Sequence, residues 1–206
     1  MEIYSTEEQQ AEAIKRFFRE NGVSLALGIV IGLGGLYGWK YYNQSKITSA
    51  EIASNAYNEL VESGEVLTKS DSFIAENGDS NYAALAAFVA AKEAVEKGEF
   101  ETAVTKLTWL QDNVQNPELK ATAILRLARV QAQLTQYDAA LKTLSQTTPE
   151  AFKAQVAEVK GDVYLAKGDK DSARSEYEAA LAESKEGNNS LLQIKLDNLA
   201  TAQPAA

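Results

Sequence analysis

The chain has 206 residues, no cysteine, no histidine and a net charge of −9. Those absences exclude structural zinc of the Cys/His kind, haem held by His or Cys, and catalysis through either residue. An acidic balance with no basic stripe to meet phosphates argues against nucleic acid as the main partner. Only three prolines and abundant alanine predict an all-α fold, and the lack of cysteine suits a domain facing an oxidising space.

In chain order, residues 1–20 form a short N-terminal segment. Ser5 or Thr6 can cap a helix, with Glu8 or Gln9 reaching back. Ile14, Phe17 and Phe18 make an apolar edge beside Lys15, Arg16 and Arg19. This reads as an amphipathic lead-in at a membrane surface; a docking segment for a cytoplasmic partner is the second reading.

Between Glu20 and Lys40 no residue is charged at neutral pH. At about 1.5 Å per residue, positions 21–39 reach roughly 28 Å, close to a bilayer core. Tyr37, Trp39, Tyr41 and Tyr42 follow, where an aromatic belt belongs. A cleaved signal peptide needs small residues just past the apolar run, and these bulky ones predict an uncleaved transmembrane helix over 21–42. Lys15, Arg16 and Arg19 precede the span; Lys40 and Lys46 follow it. The tighter cluster predicts a cytoplasmic N-terminus and a large domain outside. Ser24, Gly28, Gly32 and Gly35 fall on one narrow arc of this helix, a smooth face on which another helix can pack.

Residues 43–199 form the soluble domain and 200–206 a tail expected to be disordered. A long helix is predicted over 47–67, with a break from the membrane helix near 42–45, followed by a polar connection over 70–80. Three stretches then superimpose without gaps: KGEFETAVTKL at 97–107, LTQYDAALKTL at 134–144 and KGDKDSARSEY at 167–177. Each places alanine at its seventh position (Ala103, Ala140, Ala173), with spacings of 37 and 33 residues. Another small residue lies twelve positions earlier: Ala91, Ala128 and Gly161. Periods near 34 with small residues at helix crossings predict a tetratricopeptide-like array of helix pairs. The third repeat follows that pattern well; in the first two, Ala94 and Gln131 replace the expected aromatic. Asn116-Pro117 and Thr148-Pro149 read as helix starts, Gly98 and Gly168 as turns within pairs. Leu191, Leu192, Ile194, Leu196 and Leu199 predict a closing helix.

The chain carries no phosphate loop, dinucleotide fingerprint, nucleophile elbow or Ser-x-x-Lys dyad, so no catalytic residue, cofactor or metal is predicted. Helix-pair arrays bind through the first helix of each pair. Lys92, Arg129 and Asp162 there, with Phe88, Leu125 and Glu158 one turn back, are the candidate groove lining. Simple pairing of Lys92 and Arg129 with nearby acids is the alternative.

Several segments carry a family resemblance: MEIY at 1–4, AIKRFFRENG at 13–22, GWKY at 38–41, LRLARVQAQL at 125–134, AALKTL at 139–144 and KGDKDSAR at 167–174. Together they resemble the YfgM family of ancillary SecYEG translocon subunits. The resemblance implies a single-pass protein of the bacterial inner membrane with a periplasmic tetratricopeptide-like domain. It implies association with the SecYEG translocon and with a membrane-anchored periplasmic chaperone of the peptidyl-prolyl isomerase class. A link to envelope stress signalling also belongs to the family. Two functional readings follow: a binding module that hands translocating polypeptides from translocon to chaperones, or a negative regulator of a stress response acting through the cytoplasmic segment. An enzyme is the disfavoured third.

Overall fold

The computed structural model describes residues 7–78, 80–184 and 190–201. Among these, all regular structure is helical: α1 (Glu7–Glu62), α2 (Val66–Asn77), α3 (Asn81–Glu96), α4 (Phe100–Asn113), α5 (Pro117–Gln133), α6 (Tyr137–Leu144), a 3-10 turn (Glu150–Phe152), α7 (Lys153–Lys167), α8 (Lys170–Glu183) and α9 (Ser190–Thr201). The chain divides into two compact units, one ending at Ile52 and one beginning at Ala53.

In the first unit, α1 carries its apolar side chains uncovered. Leu27, Ile29, Val30, Ile31, Leu33 and Leu36 are all exposed, as are Tyr37, Trp39, Tyr41 and Tyr42 beyond them. This helix is long and apolar enough to cross a membrane. A surface apolar all round, with no protein over it, matches a lipid surrounding better than water. Residues 42–45 are helical, so the break expected there is absent; they contain neither Pro nor Gly to cause one. The capping residues Ser5 and Thr6 lie outside the described residues.

The second unit is a relay of overlapping cores. Leu60 of α1, Val66 and Phe73 of α2 and Ala86 and Ala90 of α3 form the first. Further along, α3 and α4 close on α5 through Ala91, Leu107 and Leu127. Then α5 and α6 close on α7 through Ala128, Leu144 and Val159, and α7 and α8 on α9 through Ala157, Tyr177 and Leu192. Each core joins one helix pair to the next helix, the nearest-neighbour build of a repeat array.

The local signals hold at most joints. Asn116 accepts from Leu119 N–H with Pro117 at the first helical position, and Ser80 and Asp169 cap α3 and α8. Gly98 (φ 76°) and Gly168 (φ 89°) end α3 and α7 in the left-handed region, which glycine enters without a steric penalty. The equivalent position after α5 is Thr135, at φ 60°.

Four further expectations are corrected. The helix predicted to reach residue 67 ends at Glu62, where Gly64 turns the chain at φ 67°. The connection predicted over 70–80 is mostly helix α2, because Val66, Ser70, Phe73 and Ile74 recur at helical spacing and are buried. Pro149 precedes a 3-10 turn and α7 starts only at Lys153. Finally, α9 takes in Ala200 and Thr201; the rest of the expected tail lies outside the described residues.

Candidate partner-binding surfaces

The third repeat holds a polar cluster built on a close helix crossing. Gly161 of α7 has no side chain, and the ring of Tyr177 from α8 fills that space. Tyr177 is fully buried, and its hydroxyl donates to Asp162 Oδ1 at 2.8 Å. Lys195 of α9 reaches the same carboxylate at 2.7 Å and Glu158 at 2.8 Å, with its ammonium 5.4 Å from the Tyr177 ring centre. Burial, followed by the hydrogen bond to Asp162, raises the Tyr177 hydroxyl well above its ordinary pKa. Burial pulls the Lys195 ammonium down, but the bonds to Asp162 and Glu158 outweigh it, so its pKa is also raised.

This cluster changes the reading of the first-helix face. Glu158 and Asp162 are both paired with Lys195 of α9. Phe88 and Leu125 are 9% and 4% exposed and belong to the cores of their joints. Phe88 and Leu125 are taken up in packing between helix pairs, which local sequence spacing does not reveal. Lys92 and Arg129 are exposed as expected. Lys92 lies 3.5 Å from Glu96 on its own helix. Sequence reasoning missed Arg126, whose guanidinium sits 5.0 Å from the Phe88 ring centre. Its signal was available: Arg126 and Arg129, three apart on a helix, share a face.

The second candidate surface is on α1. No atom lies within 4 Å of where a Cβ at Gly28, Gly32 or Gly35 would stand, and Ser24 is exposed. Phe17, Asn21, Ser24, Leu25, Gly28 and Ile29 line a shallow groove, with Asn21 Nδ2 donating to Phe17 O at 3.1 Å. Among the described residues, no group of acids is arranged to hold a metal ion.

A helix of membrane-crossing length joined to a relay of helix pairs defines a tetratricopeptide-like protein. The family model described as a tetratricopeptide repeat-like domain matches residues 15–201. The chain is 42% identical over 205 residues to the ancillary SecYEG translocon subunit of Escherichia coli (strain K12), covering 97% of this chain and 99% of that one. Likewise, it is 34% identical over 198 residues to the protein of the same name from Haemophilus influenzae, covering 94% and 97% of the two chains. The same name recurs at 27% identity over 208 residues in Neisseria gonorrhoeae, covering 97% and 100%. The chain belongs to the family of ancillary SecYEG translocon subunits.

Proposed function

We propose that this protein is a non-enzymatic adaptor of the SecYEG translocon. Helix α1 anchors it in the inner membrane as a single span, with the N-terminus in the cytoplasm and the repeat domain in the periplasm. There the domain binds a membrane-anchored chaperone of the peptidyl-prolyl isomerase class, and the pair receives polypeptides leaving the channel. The supporting observation is the pairing of two surfaces in one chain: an uncovered apolar helix with an open small-residue face, and a helix-pair array of the kind that binds proteins. The basic cluster Lys15, Arg16 and Arg19 before the span supports the orientation.

Crosslinking in native membranes, scored separately for each face, tests this reading. Crosslinkers placed in α1 should capture the translocon, and those in α3 and α5 should capture a periplasmic chaperone. Crosslinks from the repeat domain to cytoplasmic proteins alone would reverse the orientation and overturn the proposal.

A further inference from the structure

We infer that the seam between α3 and α5 is a seat for an acidic polypeptide segment, held by Arg126 and Arg129 with Lys92 at its edge. This deepens the proposed binding role and rests on it. The chain carries 29 acidic residues against 20 basic ones, so a cation on this domain has no shortage of acids to pair with. Every ion pair among the described residues is nevertheless made by a lysine. Arg126 and Arg129 are exposed on one face of α5, and neither meets a carboxylate among the described residues. A free arginine pair on an acidic domain is a local reversal of charge, and charge complementarity points to a carboxylate-rich partner.

The geometry adds a second reason. Phe88 lies beneath Arg126, and an aromatic face under a guanidinium holds its planar fork while leaving the N–H groups free. That fork matches a carboxylate with two parallel hydrogen bonds. Arg129 stands one turn further along α5. Lys92 occupies the equivalent position on α3, and among the described residues its one ion pair is the long, exposed one to Glu96.

The third reason is α9. On α7, the next first helix, the positions matching Leu125 and Arg129 are Glu158 and Asp162. Left alone, these acids would repel an acidic ligand or pair with the arginines themselves. Lys195 occupies both. The closing helix therefore keeps the neighbouring repeat from quenching the seam.

The test uses the full chain in nanodiscs of zwitterionic lipid, with fluorescein-labelled octaglutamate as the probe and anisotropy as the readout. Octaglutamate should bind and octalysine should not, with affinity falling as salt rises. Arg126→Gln with Arg129→Gln should weaken binding by about tenfold or more. Lys69→Gln with Lys142→Gln, an equal change in net charge on α2 and α6, should change it by less than roughly twofold. Lys195→Met should weaken it severalfold without touching the seam. Because Arg126 covers Phe88, Arg126→Lys keeps the charge and the aliphatic stem and serves as the folded control, while loss of the planar fork should still weaken binding severalfold. Equal losses for the two double variants would reduce the effect to net charge and overturn the seat. Binding of anionic-lipid vesicles in place of octaglutamate would overturn it as well. Loss of chaperone crosslinking with octaglutamate binding intact would instead count against the proposed function and leave the seat standing.

Discussion

The ring of Tyr177 occupies the space that a side chain at Gly161 would need: a methyl group there would stand 2.4 Å from Cε1 and 2.5 Å from Cδ1. The other repeats solve the same crossing with different volumes. Ala91 shares a core with Leu107, and Ala128 with Leu144. A methyl group opposite a leucine and no methyl group opposite a tyrosine are two fillings of one space.

Gly161→Ala should therefore destabilise the repeat domain. Alanine gains up to about 1 kcal/mol over glycine in a helix interior, while overpacking costs about 1–3 kcal/mol. Tyr177 is buried on all sides and tied to Asp162, so the ring has little room to retreat, and the net change should be a loss of about 1–2 kcal/mol. The same substitution in a Tyr177→Leu background should cost less, because that pair copies the second repeat. Thermal unfolding of the four proteins in the cycle measures this. An equal cost in both backgrounds would show that the crossing does not couple the two residues.

That crossing was legible in the sequence because it repeats. Small residues at 91, 128 and 161, and glycines at 98 and 168, mark places where backbone approach or positive φ restricts the residue type. Helix α2 was not legible, since residues 70–80 are rich in Ser, Asp, Glu and Asn and only a few side chains turn inward. Of these, Ser70 is buried despite being polar, its hydroxyl donating to Leu67 O at 3.4 Å. Of the candidate groove lining, charge and register placed Lys92 and Arg129 on the surface, where they are exposed, but burial of Phe88 and Leu125 depends on the adjoining pair. Capture of Glu158 and Asp162 depends on Lys195, 33 or more residues away.

Thr135 is the weakest of the turn positions. Its φ of 60° is one that a β-branched residue adopts at a cost, and its side chain is exposed. Around it the chain closes as at the other two turns: Gln136 N–H donates to Gln131 O, as Glu99 does to Ala94 and Asp169 to Tyr164. Thr135→Gly should relieve the strain and raise stability by about 0.5–1 kcal/mol, after the extra freedom glycine gives the unfolded chain. Denaturant unfolding should show a higher midpoint with an unchanged slope. A lower midpoint would mean the threonine side chain makes a contact worth more than its strain.

The Tyr177–Asp162–Lys195 cluster predicts an alkaline limit to stability. Both raised groups hold their protons more tightly folded than unfolded. Their contribution is complete below the unfolded values, 10.0 for Tyr177 and 10.5 for Lys195. It is lost as pH rises past these toward the folded values, where the unfolded state has already given up protons. Stability should hold from neutral pH to about 10 and fall above it. Lys195→Met should shrink that fall. At neutral pH it should cost about 1 kcal/mol, since Asp162 is 40% exposed and water still reaches it. Thermal scans against pH, with tyrosinate absorbance followed alongside, report both. A decline beginning well below pH 9 would assign the limit to other groups.

The small-residue face of α1 makes the last prediction. At Gly28 and Gly32 an added Cβ meets nothing within 4 Å, and both lie outside the unit that forms the repeat domain. Replacing both with leucine should leave folding of that domain unchanged. Membrane insertion should be kept, because leucine is favourable at the centre of a span. What changes is the surface offered to another helix. In lipid, helices associate by close van der Waals packing with no hydrophobic drive of their own, so two isobutyl groups would hold a partner off. Gly28→Leu with Gly32→Leu should reduce copurification with the translocon. Val23→Leu with Val30→Leu, which enlarges two exposed side chains elsewhere on the helix, should not. If the glycine pair copurifies as well as the parent while remaining inserted, the small residues have no role in association, and the contact must be sought on another face of α1 or in the repeat domain.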